Sequence, residues 1–250
     1  MQSFEGFHRQ SFARISSVRP DEPATWDGRT FLTLDLDWAH DEVIDHAIDI
    51  VEQAGVPATW FVTHQTSRID RLRANPLFEL GIHPNFVPLL NGDPVKGKDA
   101  YEVLERLFEL VPEAKAVRSH SLVQSSRLLQ MFEEVGLTHE CNDFIPLSSG
   151  MTIKPWEDFF RVIRVPYFWS DDFHSLGLIP QNLEEISRLP GMLGFTFHPI
   201  HIYLNTDTMA RYENAREDFR DIDRLEAHRN LQGRGIANIL MEMLGLQTGC

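Results

Sequence analysis

The chain has 250 residues, 42% hydrophobic and 24% charged, enough for one large domain with a sizeable core or two small ones. Its formal net charge of -14, with 23 Lys and Arg against 37 Asp and Glu and no basic block, argues against a nucleic-acid surface. Cys141 and Cys250 make no disulfide framework, the first ten residues lack the apolar stretch of a signal peptide, and no apolar run reaches the roughly 18 residues of a membrane span, so the expected setting is the cytoplasm.

In chain order, residues 1–29 carry Pro20, Pro23 and Gly28 without clear periodicity and read as an arm on the main body. Phe31 to Trp38 opens as a buried apolar strand and closes with two carboxylates one residue apart. Side chains two apart on a strand share a face, so Asp35 and Asp37 should project into one space and repel unless a cation or a shared proton relieves them. A solvated strand end or a helix cap is the competing reading. Val43, Ile44, Ala47, Ile48 and Val51 then recur at helical spacing, with Asp41 as N-cap and Gly55 and Pro57 ending the helix. Ala58 to Thr63 is the second strand, and 67–75 a short helix. Phe78 to His83 is the third strand, followed by a loop over 84–98.

A helix opens at Asp99 with Glu102 in capping-box position and buries Val103, Leu104, Leu107, Phe108 and Val111 before Pro112 stops it. Ala116 to His120 is the fourth strand. Ser125 caps a helix whose inner face is Leu128, Leu129, Phe132 and Val135, ended by Gly136. Leu137 to Cys141 and Arg161 to Pro166 are the fifth and sixth strands, the latter entering an aromatic loop through Trp169. A helix carrying Leu183, Ile186 and Leu189 stops at Pro190, and Met192 to Phe197 is the seventh strand. The spacing from Thr208 to His228 predicts one long helix, with a further short one after Arg234, so 208–250 reads as a C-terminal helical extension of a single domain.

Alternating strands and helices indicate a parallel α/β sheet with right-handed crossovers. About seven strands, with no dinucleotide glycine fingerprint and no P-loop, favour a barrel over an open Rossmann sheet. In such folds chemistry sits at the carboxyl ends of strands. The polar residues at those ends are Asp35 and Asp37, His83, Arg118 and His120, Asp171 and Asp172, then His198 and His201. One histidine at a strand end is most simply a hydrogen-bonded core residue, but several beside a carboxylate pair are harder to explain that way. Two histidines and one carboxylate make a site for a divalent cation that leaves positions open for water and substrate. A second carboxylate beside it takes the proton of the water, and a histidine across the cleft donates one to a leaving group. That inventory points to metal-assisted hydrolysis of an amide or ester.

The order of these segments resembles the polysaccharide deacetylase family with NodB homology, carbohydrate esterase family 4, and within it the intracellular WbmS-like branch tied to surface-polysaccharide gene clusters. Thr33-Leu-Asp35-Leu-Asp37-Trp38 resembles the first motif, Gly81-Ile-His83-Pro84 the second, and Arg118-Ser-His120 the third. Trp169-Ser-Asp171-Asp172 resembles the fourth and Phe197-His198 the fifth. The resemblance implies an irregular (β/α)7 barrel that removes an acyl group, by expectation N-acetyl, from a sugar of surface-polysaccharide biosynthesis. It further implies one divalent metal ion, zinc by expectation, with Asp35 as base, Asp37 and His83 as ligands and His198 as general acid. Two departures leave roles open. Leu36 separates the two Asp residues, so their roles are exchangeable, and Val87 stands where the family's second ligand histidine would fall, leaving His120 or Asn85 as the third ligand. Arg118 orients Asp35, binds substrate or makes a structural ion pair; Trp38, Tyr167 and Trp169 wall the cleft or pack its rim; Asp171 and His201 support the site. An O-acyl sugar esterase and a catalytically inactive carbohydrate-binding relative are the competing functions.

Overall fold

The computed structural model describes residues 5–93, 98–179 and 182–247. Among the described residues nine strands form one sheet in the order β6-β7-β5-β4-β3-β2-β1-β9-β8. They are β1 (Thr30–Asp35), β2 (Ala58–Val62), β3 (Phe78–Ile82), β4 (Ala116–Val117), β5 (His139–Glu140), β6 (Trp156–Glu157), β7 (Ile163–Arg164), β8 (Trp169–Ser170) and β9 (Leu193–Phe197). All neighbours are parallel except β6 and β7, which pair antiparallel. The sheet curls with helices around it, and parallel bridges from Phe144 to Tyr167 and from Ile153 to Gly191 link its far sides. The irregular (β/α)7 barrel expected from the sequence is found as a curled, mixed-sheet half-barrel with nine strands among the described residues.

β1 lies between β2 and β9 and is buried along its whole length, which explains its continuous apolar run. The register aligns Asp35 with Phe61, Leu34 with Phe197, and Val62 with Ile82. The residues just past these strand ends therefore emerge on one rim. Helix α1 (Asp41–Ala54) packs its Val43, Ile44, Ala47, Ile48 and Val51 face inward, and Gly55 ends it at φ 63°. Its N-cap is His40, whose Nδ1 accepts from the Glu42 N–H at 3.3 Å. The expected cap, Asp41, instead accepts from Ser67 at 2.7 Å and pairs with Arg68 at 3.1 Å.

Helix α2 spans Ile69–Ala74, and α3 (Val87–Leu90) is a single turn inside the segment read as loop, of which 94–97 lie outside the described residues. Helices α4 (Ala100–Leu110) and α5 (Ser126–Glu134) start where expected, with Asp99 accepting from Glu102 N–H and Ser125 from Leu128 N–H. Then come α6 (Asp171–Ser175), α7 (Leu183–Ile186) and α8 (Pro199–Leu204).

Other elements depart from the sequence reading. The fourth strand, expected to run to His120, ends at Val117, and His120 opens a 3-10 turn (His120–Leu122). Trp169 belongs not to a loop but to β8, on the far side of β9, and β6 is a further edge strand. The single helix expected over 208–228 is broken into α9 (Met209–Ala215), a 3-10 turn (Arg216–Asp218) and α10 (Ile222–Glu226). Asp221 accepts from Arg224 N–H and starts α10 afresh, a local bond that competes with helix continuation. Helix α11 (Ile236–Met243) follows. The arm buries Phe7, Phe12, Ile15, Val18 and Trp26 in the main core, while Val43, Ile200, Tyr203, Leu204, Ala215 and Leu225 form a second cluster joining α1 to α8, α9 and α10.

Candidate active site

The chain past β1 turns sharply, with the Ala39 N–H donating to Leu36 O and both central residues, Asp37 (φ 41°) and Trp38 (φ 56°), left-handed. Non-glycine residues in that region cost energy and cluster at functional sites. Thr63, just beyond β2, pins the turn by accepting the Trp38 N–H at 3.1 Å. Asp37 Oδ1 thereby lies 3.2 Å from His83 Nε2 and 3.5 Å from His120 Nδ1. One ligand-type atom from each of Asp37, His83 and His120 falls within 4.8 Å of the others. Asp37 Oδ1 and His83 Nδ1 are buried without a hydrogen-bond partner among the described residues. Burial opposes ionisation of Asp37, but the His120 and His83 imidazoles outweigh it and hold the carboxyl well below its usual range.

Asp35 is held from behind. Arg118 donates to its Oδ1 at 2.9 Å, to Thr33 Oγ1 at 2.9 Å and to Cys141 O at 3.0 Å. The guanidinium lies between two rings, 4.7 Å from the Phe61 centroid and 4.8 Å from that of Tyr167. Two strand glycines make that stack possible: a Cβ on Gly81 would meet Phe61 ring carbons at 2.7 Å, and one on Gly194 would meet Tyr167 Cβ at 2.8 Å. The other oxygen of Asp35, Oδ2, lies 3.9 Å from both His83 Nδ1 and His198 Nε2.

His198 caps α8, and both oxygens of buried Asp171 face it, one accepting its backbone N–H at 2.6 Å and one lying 2.7 Å from Nδ1. Burial would lower the His198 pKa; Asp171, Asp172 and Asp37 outweigh it and raise it well above the ordinary imidazole value. His201 Nε2 lies 2.8 Å from Asp172 Oδ1.

A cavity of about 300 Å³ lies over these groups, lined by Asp35, Asp37, His83, His120, Asp172 and His198 and walled by Leu122, Tyr167 and Phe173. Asn85 sits outside it. Its Oδ1 accepts the Val87 N–H at 3.0 Å, and it lines a neighbouring depression with Trp38 and Arg106. Trp38 is 45% exposed with its ring edge-on to His120 at 5.0 Å, whereas Trp169 is 1% exposed and packs 4.8 Å from Phe197 in the core. Of the three aromatics read as cleft walls, Tyr167 lines the cavity, Trp38 flanks it and Trp169 does neither. Sequence reasoning left Asp172 without a role, although its place beside Asp171 at a strand end was a visible signal. It did not single out Leu122 and Phe173, since lone apolar side chains in such short helical turns carry no pattern.

The atoms suit a divalent cation at Asp37, His83 and His120, because two imidazoles and a carboxylate converge with unfilled positions. A search of the curated proteins gives no match. Among solved structures, the chain is similar to a Bordetella bronchiseptica protein assigned as a polysaccharide deacetylase involved in O-antigen biosynthesis, at 43% identity and a TM-score of 0.88, covering 94% of this chain and 98% of that one. A protein of Mycobacterium smegmatis assigned as a polysaccharide deacetylase shares the fold at 16% identity and a TM-score of 0.52, covering 83% of this chain and 94% of that one. Residues 32–216, which hold all the site residues above and the sheet apart from the first two residues of β1, match the WbmS-like polysaccharide deacetylase family, and the chain belongs to that family.

Proposed function

We propose that this chain is a metal-dependent deacetylase, one domain acting in the cytoplasm, that removes an acyl group, N-acetyl first among them, from a sugar destined for a surface polysaccharide. The observation that carries the reading is the position of Asp35, whose free oxygen lies 3.9 Å from His83 on one side and from His198 on the other. The O-antigen assignment of the 43% identical relative supports the sugar class.

Asp37, His83 and His120 would hold the cation, with zinc the ion best suited to two imidazoles and a carboxylate. When bound, such an ion acidifies water and polarises a carbonyl. Asp35 then acts as general base. Arg118 fixes one of its oxygens, leaving Oδ2 to accept the proton of the attacking water as the water oxygen bonds to the acyl carbon. His198 is the general acid: Asp171 holds Nδ1, so Nε2 faces the cavity and delivers a proton to the nitrogen as the carbon–nitrogen bond breaks. The products are a carboxylic acid and a free amine. Leu122, Tyr167 and Phe173 enclose the acyl group and exclude water.

The test is acetate release from a panel of N-acetylated and O-acetylated sugars by protein stripped of metal and then reloaded with zinc. Release restored by metal and confined to amides supports the proposal. Release from esters alone shifts the assignment to an O-acyl esterase, and tight sugar binding with no metal uptake and no release sinks it in favour of a binding protein.

A further inference from the structure

Asp171 and Asp172 open α6 side by side, and His198 and His201 lie one turn apart on α8, yet the two pairs are used differently. Asp171 is fully buried and both its oxygens face His198. The Asp172 side chain is 44% exposed and lines the cavity. Its Oδ1 takes the His201 Nε2–H at 2.8 Å, while its Oδ2 stands 3.8 Å from His198 Nδ1, beyond hydrogen-bond reach, with no donor among the described residues.

His201 is placed to hold Asp172 and nothing else in the cavity. It is 1% exposed, its Nδ1 lies 3.0 Å from Thr206 Oγ1, and its ring stacks 4.7 Å from Tyr212 of α9. With Nε2 at the carboxylate and Nδ1 at the Thr206 hydroxyl, both ring nitrogens are used. Burial opposes ionisation of Asp172, but His198 and His201 outweigh it and bring its pKa to about 2, making it acceptor-only at neutral pH. The result is a fixed carboxylate oxygen, open to the cavity, that lacks a donor.

The scissile nitrogen belongs at His198 Nε2, whereas Asp172 sits on the Nδ1 side of the same ring. What meets Asp172 is therefore not the reacting amide but a neighbouring substituent, and on a sugar that substituent is a hydroxyl. We propose that Asp172, positioned by His201, accepts a hydrogen bond from the hydroxyl beside the acylamino group and so selects sugars in which that hydroxyl is free over those in which it is absent or substituted. This rests on the deacetylase reading and assigns its specificity.

The experiment uses the zinc-loaded full chain and two probes, methyl 2-acetamido-2-deoxyglucoside and its 3-deoxy counterpart. Both kcat/KM and binding by calorimetry are measured for wild type, Asp172→Asn and His201→Gln. Wild type should prefer the hydroxylated glycoside about 10- to 150-fold, the range of a charge-assisted hydrogen bond. Asp172→Asn should lose most of that preference, and His201→Gln part of it. The proposal is overturned if wild type shows no preference in either measurement, or if Asp172→Asn keeps it. Equal losses on both glycosides would mark a merely structural or electrostatic role and overturn it too. Preferential binding without acetate release would sink the deacetylase reading and leave the recognition role standing.

Discussion

Two groups of histidines and carboxylates share one rim of the barrel, Asp37 with His83 and His120, and Asp171 and Asp172 with His198 and His201. Their residue types are the same and their hydrogen bonding is opposite. In the first, Asp37 Oδ1 and His83 Nδ1 are buried without partners, on a turn of two left-handed residues. In the second, each imidazole has its own carboxylate at 2.7 or 2.8 Å, and His201 is backed by Thr206. Buried polar atoms without partners are costly, so a fold keeps them where something else is to bind. A closed pair of imidazole and carboxylate instead fixes one ring nitrogen and raises the proton affinity of the other. On the proposed reading the first group receives a cation and the second holds a proton, and the distinction rests on partnering rather than composition.

The strongest way to break this comparison is to remove the group both sides face. Asp35→Asn should lower acetate release about 10² to 10⁴-fold, the usual cost of losing a general base, with zinc uptake intact if Asp35 is the base and not a ligand, as proposed. Loss of zinc in this variant, with retention in Asp37→Asn, would exchange the two roles. Next, His83→Ala and His120→Ala should each weaken zinc binding by more than the 10- to 100-fold that loss of an outer support costs. Asn85→Ala should leave it unchanged, since its oxygen is occupied by the Val87 N–H. Competition with a chromophoric chelator reads all three, and a loss confined to Asn85→Ala would overturn the ligand set.

The second group is probed through pH. A histidine with a raised folded pKa stabilises the fold fully below its unfolded value of about 6.5 and loses that contribution as pH rises through its folded value. Asp171→Asn removes the first of the carboxylates that raise His198. It should therefore shift the alkaline limb of the rate profile to lower pH, and its loss of stability in urea should be larger at pH 6 than at high pH. A rate profile identical to wild type would remove the proton-holding role. The smallest effect belongs to Thr206→Val, which deletes the hydroxyl behind His201 in a nearly isosteric change. It should cost about 0.5–1.5 kcal/mol in urea unfolding, with zinc affinity unchanged.

The helices legible from sequence were those with an amphipathic stripe and a side-chain cap of their own, as α4 behind Asp99 and α5 behind Ser125. The rim was legible for a related reason: a long apolar run such as β1 announces where a strand stops, and chemistry in parallel α/β folds lies just beyond. Local pattern thus determined that Asp35, Asp37, His83 and His198 share one end of the sheet. It did not determine β6 and β8: β4, β5 and β7 are equally short but fall inside longer segments the sequence marks as strands, whereas β6 and β8 have no such segment and owe their pairing to neighbours already in place. That is why Trp169 reads as a loop aromatic and is a core residue. Nor did it separate Asp171 from Asp172, adjacent and identical in type, since only the packing of α8 against α6 turns one wholly onto His198 and leaves the other an oxygen open to the cavity. The Arg118 stack is of the same kind: Phe61, Tyr167, Gly81 and Gly194 lie far apart in the chain, and the close approach that fixes Asp35 exists only once β3, β2, β1 and β9 are assembled in that order.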